Sequence, residues 1–416
     1  MRTIQKNLTN GFYALISLPS TAMGFALSIQ ISALSWILTT QYHLDIHQVG
    51  IVWAAGPLAG IFGQVIVGVI SDRVWFWGGR RRPFIVVGGV LAALMLFALP
   101  NIARVSGALG IASLLVVATG IALTLDLAIN ISFNPTRSII ADVTPEGTPR
   151  TKGYTWMQTI SGFFGVAAYV VGAVFGNFAL IYAGVFLVLA FSVIPVFFIT
   201  EPRELAGAPA AGETKSSRTE WGQLWRIYGA HALSWIGVQT MFVYIIAFIQ
   251  QKMDLPAGAE DGARTAGQII SVSFAVLNTV GFILPAPVLE PLAVRFTRVR
   301  VHACAVGIMA VGYFAAALAG TSPLALFCLM GVLGIGWASV VSLPFAIMTE
   351  KIDKSRTGFF MGIFNLSVVL PQLFVSLVLG SVIQAAPDKN VIFLISGAAL
   401  ALSALGWLLV REERTR

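Results

Sequence analysis

The sequence predicts an all-α membrane protein of twelve transmembrane helices in two six-helix halves, and three observations carry that prediction. Apolar residues fill 57% of the 416 positions and charged residues only 11%, with a mean hydropathy of +0.85. A soluble globule has nowhere to put that much apolar surface. Runs of about 20 apolar residues, long enough to cross about 30 Å of hydrocarbon, recur twelve times. The 26 Lys and Arg residues fall almost entirely in alternate connections between those runs, as the retention of basic loops on one membrane face requires.

The spans are expected near 14–39, 49–71, 83–100, 109–139, 155–176, 180–200, 225–250, 268–289, 302–319, 323–348, 358–384 and 391–410. Pro19 and Gly24 fall inside an apolar run that continues to about Leu38. The first run therefore reads as a transmembrane helix and not a removable signal peptide. Loops counted alternately from a cytoplasmic N-terminus place 22 basic residues inside and leave Arg104, Lys252, Arg264 and Lys389 outside. An early miscount of spans would destroy that split, so it supports an even number and both termini in the cytoplasm. The formal charge of +8 then reflects cytoplasmic retention and anionic headgroups rather than nucleic acid. Cys304 and Cys328 lie within expected spans, away from any Cys or His pattern at metal-ligand spacing, and are expected to be buried thiols.

Residues 201–223 form the longest polar connection, with Pro202, Gly207, Pro209, Gly212, Ser216 and Ser217. They read as a flexible cytoplasmic linker between halves 1–200 and 224–416. The halves echo each other, the mark of a duplicated transport fold. Gly68, Asp72, Arg73 and Arg80 to Arg82 after the second span are matched by Glu290, Arg295, Arg298 and Arg300 after the eighth. Pro135 to Asp142 with Arg150 to Gly153 after the fourth span are matched by Pro344 to Glu350 with Arg356 to Gly358 after the tenth.

Asp126 is the one acid in the middle of a long apolar stretch, in Leu125-Asp126-Leu127-Ala128-Ile129-Asn130. A carboxylate in hydrocarbon costs several kcal/mol unless it is protonated, paired or solvated in a cavity, so its presence reads as function. Apolar surroundings favour the neutral acid, which suits loading and release of a proton, and the charged form accepts hydroxyl hydrogen bonds. Its alternative role is a structural partner for Arg137, which could equally snorkel to the interface or gate. Gln30, Asn130, Asn278, Asn365 and Gln372 are intramembrane amides able to bind hydroxyls or to bridge helices. Trp36, Trp53, Tyr154, Trp156, Trp235, Tyr244 and Trp337 could stack on a sugar ring, though interfacial belts account for most such residues. Gly334-Ile335-Gly336 reads as helix packing.

Gly68, Asp72 and Arg73, with Arg80 and Arg81, resemble the inside-loop signature of the major facilitator superfamily. The segment from Pro57 through Gly60, Gln64 and Gly68 to Pro83 is similar to the second and third helices of plant sucrose transporters and their animal and bacterial relatives. Phe25 to Ser32, Asp126 to Asn130 with Pro135 to Asp142, Ser342 to Ala346 and Asn365 to Gln372 resemble the first, fourth, tenth and eleventh helices of that family. The resemblance implies a proton-coupled importer of a disaccharide such as sucrose, maltose or a related α-glucoside, working by alternating access.

It further implies that Asp126 binds both proton and sugar, with Gln30, Asn130, Asn365 and Gln372 as sugar-binding candidates. Gly68, Asp72, Arg73, Arg80, Arg81, Arg137, Asp142, Glu290 and Arg295 would form the gating charge network, and His47 would stand at the outer entrance. The implied partners are a sugar, a proton and the lipid bilayer, without metal or other cofactor, in a monomer of the cell inner membrane. Two departures qualify this. The seventh helix lacks the acids of the plant proteins around Phe242 to Phe248, so the polar network at the sugar differs. Melibiose permease and its sodium-coupled relatives carry two second-helix acids where this chain has Gly60 and Gln64; fewer charged oxygens favour a proton over sodium. The alternatives are an uncoupled or sodium-coupled sugar or metabolite transporter, or an exporter of the same fold. No nucleophile with a base, metal cluster or phosphate loop suggests an enzyme.

Overall fold

The computed structural model describes residues 5, 7–60, 70, 74–145, 148–202, 219–352 and 357–411. These are helical throughout, apart from turns and one isolated bridge between Phe76 and Gly79. We label the helices α1 (Asn10–Thr40), α2 (Ile46–Trp53), α3 (Arg82–Leu109), α4 (Leu114–Val143), α5 (Thr148–Phe175), α6 (Asn177–Phe197), α7 (Trp221–Lys252), α8 (Ala259–Ile283), α9 (Arg298–Ala319), α10 (Pro323–Thr349), α11 (Thr357–Phe374) and α12 (Val391–Trp407). Ten helices among the described residues are long and apolar enough to cross a membrane, and α12 is a shorter apolar helix. Helix α2 leads into the second expected span, whose positions 61–69 lie outside the described residues.

Local chemistry fixes the helix starts. The side-chain oxygens of Thr9, Ser113, Thr297 and Ser322 accept the backbone N–H groups of Phe12, Val116, Arg300 and Ala325, satisfying donors that a first helical turn leaves open. Pro83 and Pro323 stand in first turns, where no donor is needed. Pro135 and Pro344 occur late in α4 and α10, where each removes a helical hydrogen bond.

Two compact units result: Met1–Leu44 with Ile51–Ala210, and Asp45–Gly50 with Ala211–Arg416. In the first, α1 packs on α5 and α6, and α3 on α4 and α6. In the second, α7 packs on α11 and α12, and α9 on α10 and α12. The same pairings recur six helices later, which is the packing counterpart of the echoed loops. Gly334 and Gly336 serve close packing, as expected. A Cβ on Gly334 would come within 2.6 Å of Val280 Cβ, and one on Gly336 within 2.3 Å of Met309 Cβ.

One expectation is corrected. Cys304 and Cys328 are exposed, not buried. On a membrane helix the outward face meets lipid, so an apolar thiol has no reason to seek the protein interior. At the described ends of the connection 201–223, Glu201 is buried and bonded and α7 begins at Trp221; positions 203–218 lie outside the described residues.

Candidate functional site

Asp126 lies on the buried face of α4, 6% exposed. Its carboxylate accepts one hydrogen bond among the described residues, from Gln30 Nε2 to Oδ2 at 2.9 Å. Gln30 is itself buried and begins a π-helical turn, Gln30–Leu34, that interrupts α1. Such a turn carries an extra residue and rotates the helical segment before it relative to the segment after it, which re-aims the amide of Gln30. Gly56 closes the third side. A Cβ there would sit 3.2 Å from Oδ2 and 3.3 Å from Oδ1, so hydrogen is the side chain that leaves both oxygens room. Asn130, one turn along α4, donates Nδ2–H to the backbone oxygen of Asp126 at 2.8 Å. Trp53 Nε1 donates to Ser35 Oγ at 2.7 Å, just past the π turn, and ties α2 to α1. The arrangement presents a shielded carboxylate with an amide oriented by it, a combination suited to holding a proton or accepting hydroxyl hydrogen bonds.

The structural alternative for Asp126 is not observed. Arg137 lies eleven residues further along the same helix, about 16 Å at 1.5 Å per residue. Its guanidinium sits over the Phe133 ring at 4.1 Å, while Tyr154 Oη donates to its backbone oxygen at 3.3 Å.

Ion pairs stand at two corresponding places. Arg81, at the start of α3, pairs with Asp142, at the end of α4, at 3.0 Å with both side chains largely buried. Arg298, at the start of α9, pairs with Glu350, at the end of α10. Glu290 and Arg295, also named for the network, form no ion pair with each other among the described residues. Both belong to the short helix Glu290–Phe296, and Arg295 instead lies over the Phe296 ring at 5.3 Å. Gly68, Asp72, Arg73 and Gln64 lie outside the described residues.

Glu201 was missed as a site residue. Its Oε2 accepts the backbone N–H groups of Arg80 and Arg81 at 2.8 and 2.9 Å, and its Oε1 that of Arg82 at 2.9 Å. It thereby caps α3, where the helix dipole favours an anion. The sequence signal was an acid directly after the sixth span, masked by the Pro and Gly that come next.

The second unit holds a polar and aromatic cluster. Gln372 Nε2 approaches Gln239 Oε1 at 3.4 Å, and Trp337 Nε1 donates to Asn278 Oδ1 at 3.2 Å. Trp337 also meets Trp235 and Phe242 edge-on or tilted, at 6.1 and 5.2 Å. Trp235 Nε1 donates to His231 Nε2 at 3.0 Å, so this imidazole carries its proton on Nδ1 when neutral. Asn365 is half-buried. Tyr244 Oη donates to the backbone oxygen of Val375 at 3.1 Å, where a further π turn, Val375–Leu379, continues from α11. His47, expected in a loop, is half-buried on α2, and its backbone N–H donates to Gln384 Oε1 at 2.8 Å. Gln239, His231 and the Tyr244 contact carried no sequence signal, because polar residues inside long spans do not reveal their partners.

The fold is that of the major facilitator superfamily of transporters. It is similar to the crystal structure of the nucleoside transporter NupG, with a TM-score of 0.72 and 12% identity, covering 97% of this chain and 99% of that one. It is equally similar to the xylose transporter XylE from E. coli, with a TM-score of 0.72, 14% identity and 97% of each chain covered. A family model described as MFS/sugar transport protein matches residues 12–388, and the chain belongs to that family. It is 24% identical over 393 residues to the sucrose transport protein SUC4 of Arabidopsis thaliana, covering 78% of this chain and 75% of that one. Over 128 residues it is 34% identical to the general alpha-glucoside permease of Schizosaccharomyces pombe, covering 29% of this chain and 23% of the permease. The protein is therefore a multi-pass membrane transporter of sugars and not an enzyme.

Proposed function

We propose that this transporter is a proton-coupled symporter that imports a disaccharide, sucrose, maltose or a related α-glucoside, by alternating access across a cell inner membrane. Both termini would lie in the cytoplasm, consistent with the 22 to 4 division of basic residues. The carrying observation is the buried Asp126 carboxylate, held by the single amide of Gln30 and left open by Gly56. A proton and a sugar hydroxyl compete for, or cooperate at, the same two oxygens, which is what makes a single carboxylate able to couple one flux to the other. Asn130, Asn365 and Gln372 are the further candidates for sugar hydroxyls, and His47 for the entrance. Arg81–Asp142 and Arg298–Glu350 brace corresponding helix pairs, so the rearrangement passes between the halves rather than within these pairs. The names of the sucrose and alpha-glucoside relatives support the substrate class.

The test is uptake of labelled sucrose and of maltose into proteoliposomes, with and without an inward proton gradient, for wild type and Asp126→Asn. Accumulation that tracks the gradient and disappears in Asp126→Asn, while exchange of unlabelled for labelled sugar persists at a reduced rate, supports symport at this carboxylate. Uptake indifferent to the gradient, or an Asn variant that still accumulates sugar, overturns it in favour of an uncoupled transporter.

A further inference from the structure

The outward surface of the second unit carries a groove of about 370 Å³ between α9 and α12. Its walls are small or apolar, with Ala303, Cys304 and Gly307 on α9 facing Ala401, Ala404 and Leu408 from α12 and its end. It lies within two membrane spans, and Val311, Leu405 and Leu408 at its rim are more than half exposed. In a bilayer that surface meets acyl chains, and a recess there is filled by one.

One end of the groove is basic. On α9, Arg300 stands one turn before Cys304 and two before Gly307 on the same helical face, and its side chain leans toward the helix N-terminus, away from the membrane interior. On the other wall, Arg411 comes three residues after Leu408. Both arginines are exposed, and neither guanidinium makes a hydrogen bond or ion pair among the described residues. Arg226 completes the cluster. It is exposed, and its guanidinium donates to the backbone oxygen of Leu409 at 2.9 Å, next to Leu408 of the groove. The chain segments flanking this apolar slot, the start of α9, the end of α12 and the start of α7, thus each carry an exposed arginine. Basic pockets between transmembrane helices are suited to anionic headgroups, whose phosphate takes several guanidinium donors at once.

We propose that this groove binds an anionic phospholipid, with one acyl chain between α9 and α12 and its phosphate held by Arg300 and Arg411. A zwitterionic lipid places its own cation beside these arginines and is bound less well. The site is separate from Asp126 and stands whether or not transport is coupled to protons.

Cys304 lies in the groove and offers a direct readout, with Cys328→Ser removing the other thiol. The rate of Cys304 labelling by a maleimide would be measured in detergent with added phosphatidylglycerol or phosphatidylcholine, in that background and in Arg300→Gln/Arg411→Gln. Expected is at least fivefold slower labelling with phosphatidylglycerol than with phosphatidylcholine, a difference that falls below twofold in the double variant. Native mass spectrometry should show the same loss of retained phosphatidylglycerol. Equal protection by the two lipids would mean a greasy surface without headgroup recognition and overturn the proposal. Undiminished selectivity in the double variant would also overturn it. Both arginines are exposed, so the double variant is expected to fold, and its melting temperature checks this.

Discussion

Replacing Glu201 with alanine tests whether the end of α6 fastens the start of α3. The carboxylate accepts three backbone N–H groups at 2.8 to 2.9 Å. Hydrogen bonds to a charged group contribute about 1.5–3 kcal/mol each, but water can replace a partner that is exposed. Arg80 and Arg82 are half-buried and Arg81 is buried. One N–H is therefore left without a partner, costing about 1–3 kcal/mol, and the helix loses an anion at its positive end, costing up to about 2 kcal/mol. Together these give about 3 kcal/mol. At ~2–4 °C per kcal/mol for a unit of about 200 residues, Tm should fall by about 6–12 °C. Thermal unfolding of the purified transporter, monitored by tryptophan fluorescence, measures this. Glu201→Gln keeps an acceptor and loses the charge, so its fall should be about half as large. Glu220→Ala removes a half-exposed carboxylate but leaves Lys351, 7% exposed, without that partner, and should cost about 1–3 kcal/mol. A Glu201→Ala protein melting within 2 °C of wild type on the scale of these estimates would refute the capping role.

Gly56→Ala should cut sugar exchange by about tenfold or more, because its methyl meets both Asp126 oxygens at 3.2–3.3 Å, while thermal stability changes by less than ~1.5 kcal/mol; transport equal to wild type would remove Gly56 from the site. Tyr244→Phe deprives the Val375 oxygen of its donor and should lower stability by about 1–3 kcal/mol, read as a fall in Tm. Asp388 lies beyond the spans and accepts a hydrogen bond from Lys252 and one from the Asn390 N–H, which hold its pKa below the ordinary carboxylate value. Its contribution is therefore present above the unfolded-state pKa and is lost as pH falls through the folded one. Asp388→Asn should be slightly less stable than wild type at neutral pH and converge with it as pH falls below the depressed folded-state pKa, as acid melting curves would show.

Much of the fold was legible because span length and basic-loop alternation are imposed by the bilayer itself. Eleven expected spans coincide with apolar helices to within several residues, and Asp126 announced itself by being charged where little else is. Its surroundings did not. Gln30 is 96 positions away, and no local pattern marks the π turn that brings it round. Loop echo marked Glu290, Arg295, Arg298 and Glu350 as charges at corresponding places, but not that Arg298 and Glu350 are the two that pair. Loop position tells which side of the membrane a charge occupies, and only packing tells which partner it reaches. The cysteines failed for a different reason, since hydrophobicity and burial part company once the solvent is lipid.

The π turn at Gln30–Leu34 has a consequence for how this site can change. Each residue of a helix advances the chain by about 100° around its axis. Deleting one residue from the turn would restore a regular helix and swing the whole preceding segment, Gln30 included, by about that angle, without altering a single side chain at the carboxylate. Substitution tunes such a site gradually. A one-residue deletion switches it, so the length of this stretch, more than its composition, guards the pairing of Gln30 with Asp126.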